Sequence, residues 1–368
     1  MKIVFVAAVV GALVVQKYIV KLKAVTRMQM SAHFVAIDRL AEGRGGVGKV
    51  YENLGGMYNA RFSRKMLEKV KAMPDVEYVE LDQSVHVMMQ QQSAPWGLAR
   101  LSQRQRLWGS SFTYNYSGDG AGVSVYVVDT GIMVGHAEFG GRARFGAKFA
   151  GDNDLDEHGH GTHCAGTIGS KTYGVAKNAT LVAVRVFDGS GAGTDSGVIA
   201  GIDWAVGDKK GSKGNVISMS LGGSKSQALN DAVEAAFARG FVVAVAAGNE
   251  GQDACESSPA SAPNAITVGA SDVSDKRASF SNYGKCVDVF APGVDIESTW
   301  NNGNTNSISG TSMAAPHVAG LAAYFLSQAS LTPTQVTAHL VALSTKDIIS
   351  DSVLGTPNLM AFNGFNAK

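Results

Sequence analysis

The chain has 368 residues, 17% of them charged and 45% hydrophobic, and a formal net charge of +1. It is too apolar for a disordered chain and lacks the strong positive charge of a dedicated nucleic-acid binder. Its length fits about two folding units, and 44 Gly against 8 Pro call for tight turns and close backbone approaches, without the triplet repeat of collagen. The small total hides two opposed parts. Residues 1–93 carry 13 basic and 8 acidic side chains, whereas residues 94–368 carry 19 and 23.

Met1-Lys2 precedes an apolar run over residues 3–15. That run falls short of the ~20 residues that cross a bilayer but suits the h-region of a secretory signal. Residues 1–16 therefore read as a signal peptide, with secretion and no membrane anchor expected. A strand is predicted over 18–22 and a helix over 32–40, with apolar Phe34, Val35 and Ile37. Gly-rich turns surround 47–54, a second helix covers 63–71, and Val76-Glu77-Tyr78-Val79-Glu80 alternates as a strand. This order makes a small α+β module. The Gln- and Met-rich stretch 84–93 reads as an exposed linker.

Past Ala94-Pro95-Trp96-Gly97-Leu98 the pattern becomes an α/β alternation. Strands are predicted over 123–128, 181–186, 216–221, 241–246 and 265–268, with helices over 196–207 and 226–239. The β-branched run at 123–128 suits a parallel strand buried on both faces. Asp129 follows it, and open parallel sheets place ligand groups at the carboxyl ends of their strands.

Three segments carry chemistry: Val127-Val128-Asp129-Thr130-Gly131, His158-Gly159-His160-Gly161-Thr162-His163-Cys164 and Gly310-Thr311-Ser312-Met313-Ala314-Ala315-Pro316. Asp…His…Ser is one chain order of the serine-hydrolase triad. A serine hydroxyl needs an imidazole to take its proton, and a buried carboxylate fixes the imidazole tautomer and stabilises the imidazolium.

Together these segments resemble the subtilase family of serine proteases, with wording closest to its proteinase K-like branch. Ser279-Phe280-Ser281-Asn282-Tyr283-Gly284 and Ala291-Pro292-Gly293 add to the resemblance. It implies an α/β fold in three layers with a mainly parallel sheet, preceded by an α+β propeptide. Residues 17–88 would be the inhibitory propeptide and 89–368 the catalytic domain. Asp129 would orient, His160 act as general base and then acid, and Ser312 attack as nucleophile. His163 matches a structural position. Asn249 and the backbone N–H of Ser312 would form the oxyanion hole. Gly191, Ala192 and Gly193 would face Ser220, Leu221 and Gly222 across the substrate, with Ala246, Ala247 and Gly248 completing the groove. Nothing charged falls on the matched pocket positions, so an apolar or aromatic residue before the scissile bond is expected. Asp195 stands where relatives often carry an aromatic residue at a more distant subsite.

The resemblance also implies a Cys255–Cys286 disulfide, a free Cys164, and a structural calcium held by Asp288 with backbone oxygens of Pro263 and Ala265. No cofactor is expected for catalysis. The acidic run Asp152, Asp154, Asp156 and Glu157 lacks the glycine of a calcium loop and reads as a solvated turn. Asn115 and Asn178 head acceptor sequons.

Rival readings remain at this point. His158, His160 and His163 have plausible zinc-ligand spacing, although the HExxH frame is missing. Gly189-Ser190-Gly191-Ala192-Gly193 is Gly-rich after a strand but does not fit GxGxxG. A catalytically inactive binding protein of the same fold would keep the same segments. The reading favoured is a secreted serine endopeptidase, monomeric, made as a zymogen, with its first cut near Val87-Met88-Met89. Its partners would be protein substrates and its own propeptide.

Overall fold

Val123–Asp129 is a run of seven residues buried without exception, which only a strand covered on both faces can sustain. The computed structural model describes residues 15–23, 26–41, 45–82 and 89–365. The expected leader lies outside these residues apart from Val15 and Gln16, as does most of the expected first cleavage site. The chain divides into two compact units, one up to residue 86 and one from 87 onward.

In the first unit the order is β1 (Gln16–Leu22), α1 (Arg27–Ala41), β2 (Gly46–Tyr51), β3 (Met57–Phe62), α2 (Arg64–Lys71) and β4 (Val76–Leu81). The strands form one antiparallel sheet in the order β2-β3-β1-β4. Tyr18, Val20 and Leu22 alternate into its core beside Tyr58, Ala60 and Phe62, against Ile37 of α1 and Val70 of α2. Ser63 caps α2 by accepting from the Met66 N–H. Between the glycine turns at 45–46 and 55–56, β2 pairs with β3, with Val47 and Val50 supplying the apolar contacts a strand needs.

The second unit begins with a correction. Met89–Gln91, expected in a linker, forms strand β5 and pairs antiparallel with β6 (Tyr114–Tyr116). Backbone pairing to an aromatic strand outweighs the polar composition. After the short helix α3 (Trp96–Arg100) come β7 (Val123–Asp129), β8 (Ala143–Lys148), α4 (His160–Gly169) and β9 (Thr180–Arg185). Next are α5 (Asp195–Asp208), β10 (Gly214–Met219), β11 (Gly223–Ser224), α6 (Gln227–Ala238) and β12 (Phe241–Ala246). They are followed by β13 (Ser257–Ser258), β14 (Ile266–Ser271), β15 (Val289–Pro292), β16 (Ile296–Thr299) and β17 (Thr305–Ile308). Last come α7 (Thr311–Gln328), α8 (Pro333–Leu343), β18 (Thr345–Lys346) and β19 (Leu359–Met360).

Nine strands form the main sheet in the order β18-β19-β15-β14-β12-β10-β7-β9-β8, parallel except for β18 against β19. Val123, Val125 and Val127 of β7 point into one core with α4 and α7, while Tyr126 and Val128 point into the other with α5 and α6. This makes three layers. Asp129 ends β7, and α4 and α7 start close to the same sheet edge, so their first residues meet there.

Candidate active site

Asp129 is fully buried, and its Oδ1 accepts from the Thr130 N–H and meets His160 Nδ1, each at 2.7 Å. The other carboxylate oxygen has no hydrogen-bond partner among the described residues. The charge therefore leans on the imidazole. Burial alone would push the His160 pKa down, but the Asp129 carboxylate, with a smaller contribution from Cys164, holds it well above the ordinary 6.5. His160 opens α4, and Gly161 lets that end approach β7: a Cβ there would lie 2.2 Å from the Gly131 carbonyl oxygen.

Ser312 is the second residue of α7. Its hydroxyl donates to the Ser220 carbonyl at 3.2 Å and makes no hydrogen bond to His160. Such contacts are often loose without substrate. Pro316, four residues on, has no N–H to offer the Ser312 carbonyl. That carbonyl instead accepts from Ser220 Oγ at 2.8 Å and from Cys164 Sγ at 3.5 Å. The proline thus ties the start of α7 to α4 and to the segment after β10. The amide oxygen of Asn249 accepts from Thr311 N at 2.8 Å and Thr311 Oγ1 at 2.9 Å, which leaves its NH2 free to donate. Thr311 went unnoticed in the sequence; its place beside the serine was the available signal.

Asp156 is the larger omission and a correction. It is buried, not part of a solvated acidic turn. Its Oδ1 accepts from Thr130 Oγ1, His158 N and Gly159 N, and its Oδ2 from Thr162 N and Thr162 Oγ1, all within 2.6–3.2 Å. Thr130 Oγ1 in turn accepts from Gly161 N at 2.9 Å. One carboxylate therefore joins the end of β7 to the first turn of α4. An Asp four residues before the helix that opens at His160 was the readable cue. Arg185, fully buried at the end of β9, holds the preceding loop through Asn153 and Glu157.

The zinc alternative is also corrected. His163 is buried, with Nε2 bound to the carbonyls of Ile296 and Asn306, and burial pushes its pKa down to about 4. Among the described residues the one trio of metal-type side chains with clustered ligand atoms is Asp129, His160 and Cys164.

The expected substrate walls have free backbone edges. Leu221, Gly222 and Gly193 make no backbone–backbone hydrogen bonds among the described residues, while Ala192 N and O are both held by Asp188. Gly222–Ser224 and Ala246–Gly248 enclose a cavity of about 320 Å³. Glu250 and Glu256, which lie outside the matched pocket positions, also line it. The loop at 250–257 folds back to the cavity, a closure that the short matched phrases did not contain.

A family model described as the subtilase family matches residues 120–357, and one described as peptidase inhibitor I9 matches residues 17–88. The chain belongs to the subtilase family. Alkaline protease 2 of Aspergillus fumigatus is 49% identical over 337 residues, covering 83% of this chain and 68% of that one. Cerevisin of Saccharomyces cerevisiae is 50% identical over 341 residues, covering 85% and 54%. A crystal structure of a cold adapted subtilisin-like serine proteinase matches at TM-score 0.70 and 48% identity, covering 74% of this chain and 98% of that one. This chain is thus a subtilisin-like serine protease with an inhibitor-type N-terminal domain.

In this subtilase Cys255 and Cys286 form a disulfide, with S–S 2.10 Å, and Cys164 is free and buried. Asp288 is partly buried. One carboxylate oxygen accepts from Thr267 N at 2.8 Å, and none of the described residues donates to the other. Burial pushes its pKa up to about 6. A desolvated carboxylate with an open oxygen, bonded to Thr267 two residues past the turn at 262–265, suits a hard cation such as calcium. No helix of the described residues is long and apolar enough to cross a membrane.

Proposed function

We propose that this subtilase is a secreted endopeptidase of the proteinase K-like branch, made as a zymogen that processes itself. The observation that carries the reading is the 2.7 Å bond between Asp129 and His160 beside a serine at a helix start. Ser312 Oγ attacks the scissile carbonyl and passes its proton to His160 Nε2. Asp129 holds Nδ1 and balances the imidazolium. The oxyanion is bound by the Asn249 NH2 and the Ser312 N–H, a first-turn donor that has no partner inside the helix. Collapse expels the amine, which takes the proton from His160, and water then releases the acyl group by the same steps. Main-chain pairing of an extended peptide between Gly193 and Leu221–Gly222 supports broad specificity. Residues 17–88 serve as the intramolecular inhibitor.

The test is stoichiometric labelling by phenylmethylsulfonyl fluoride, with peptidase activity that survives a chelator. Only neutral imidazole takes a proton, so kcat/KM is expected to rise with pH through an ionisation above 6.5. Labelling at another residue, or an acid limb below 6, overturns the assignment.

Asp288 is proposed as the calcium carboxylate, with Pro263 and Ala265 supplying oxygens. Its folded pKa of about 6 exceeds the ordinary 3.8, so the cation-free fold loses stability as pH rises from about 4 to about 6. Above that range the loss is about 3 kcal/mol. Asp288→Asn is expected to raise the chelator-treated Tm at pH 8 and to abolish stabilisation by added calcium. A calcium-dependent Tm in the variant refutes the site.

A further inference from the structure

Glu250 and Glu256 turn the cavity beside Ser220–Gly222 into a negatively charged one. Its other walls are Gly222–Ser224, Ala246–Gly248, Gln252 and Ser257, all uncharged, and no Lys or Arg lines it. Lys225, the residue after Ser224, directs its Nζ to the Cys255 carbonyl at 3.0 Å. Neither glutamate forms an ion pair among the described residues.

The Glu250 carboxylate is also held in place. Glu250 Oε2 accepts from Asn282 Nδ2 at 2.9 Å, while Asn282 Oδ1 accepts from the Glu250 and Gln252 N–H groups. One amide thus fixes both the loop and the glutamate rotamer. Glu256 follows Cys255, whose disulfide to Cys286 anchors the wall. Its side chain is exposed and makes no hydrogen bond among the described residues. An apolar residue placed in this cavity would lie beside two carboxylates with no charge to offer either. A lysine or arginine would lay its methylene stem along Ala246 and Ala247 and bring its charged end to the glutamates.

We infer that Glu250 and Glu256 select a cationic side chain immediately before the scissile bond, so that basic protein segments are preferred substrates. The inference rests on the peptidase reading above. Because both carboxylates are solvent-exposed, the expected gain is modest, about three- to tenfold in kcat/KM, and screened by salt.

The test uses the full-length chain after maturation and tetrapeptide anilides that differ in one residue: lysine, its neutral isostere norleucine, or glutamate. Lysine is expected to exceed norleucine by about three- to tenfold at low salt, with glutamate slowest. The lysine:norleucine ratio should fall toward one in 0.5 M NaCl and in the E250Q/E256Q double variant. Where E250Q disturbs folding through its Asn282 bond, E256Q alone carries the test, since it breaks no bond. A ratio at or below one, or a ratio unchanged by E256Q and by salt, refutes the selection while leaving peptidase activity intact. Failure to cleave any of the three peptides refutes the peptidase reading, and the selection with it.

Discussion

Replacing Ser312 by Ala is expected to give a chain that keeps residues 17–88 covalently attached and hydrolyses no casein. The loss in kcat should reach about six orders of magnitude, a size known from a subtilisin in which the equivalent serine was removed. Folding should survive. The lost contact is one neutral hydrogen bond to the Ser220 carbonyl, worth about 1 kcal/mol, and the Ser220 Oγ and Cys164 Sγ bonds accepted by the residue's backbone carbonyl remain. Intact mass after expression in a protease-free host reads the outcome. The unprocessed chain from residue 17 holds 31 basic and 31 acidic groups and should carry no net charge, whereas residues 89–368 alone hold 19 basic and 23 acidic groups and should run as an acidic protein. Processing of the variant by added wild-type enzyme should shorten it without restoring activity. Normal self-maturation of S312A would sink the triad assignment and the zymogen reading together.

The parts of this molecule legible in its sequence are those with a local signature. Buried parallel strands show as near-continuous apolar runs, unbroken in β12 and interrupted before Asp129 only by Ser124 in β7, because both faces must be covered. The Asp129, His160 and Ser312 segments stand out because glycines permit the close backbone approaches they need. Groups whose roles depend on long-range closure stayed hidden. Met89–Gln91 looks like a linker until β6, some 25 residues on, offers it a backbone edge. Glu250 and Glu256 look like solvent-facing loop charges until the loop returns to the cavity. The role of Pro316 depends on a hydroxyl from Ser220 and a thiol from Cys164, two other parts of the chain. Composition at one position cannot report such partners.

Asp156→Asn should expose the most consequential of those hidden roles. The carboxylate accepts five hydrogen bonds from β7, the loop before α4 and the first turn of α4. An amide of the same shape must turn its NH2 toward either the Thr130 set or the Thr162 set, so donor faces donor on one side. Each buried donor left unpaired costs about 1–3 kcal/mol, and loss of the charge weakens the helix start further. A stability loss of about 2–4 kcal/mol is expected, read as a lower urea midpoint. Asp156 does not touch substrate or the reacting atoms; it positions His160 through Thr130, Gly161 and Thr162. A displacement of well under 1 Å at the general base costs rate and not binding, so kcat should fall about 10- to 100-fold with KM nearly unchanged. The acid limb of kcat/KM should also move to lower pH, since removing a negative charge at the start of α4 disfavours the imidazolium. Thr130→Val should cost rate by the same route, and the double variant should lose less than the product of the two, because both act through one network. A D156N enzyme that is destabilised but keeps kcat and its pH profile would make Asp156 a helix cap and nothing more.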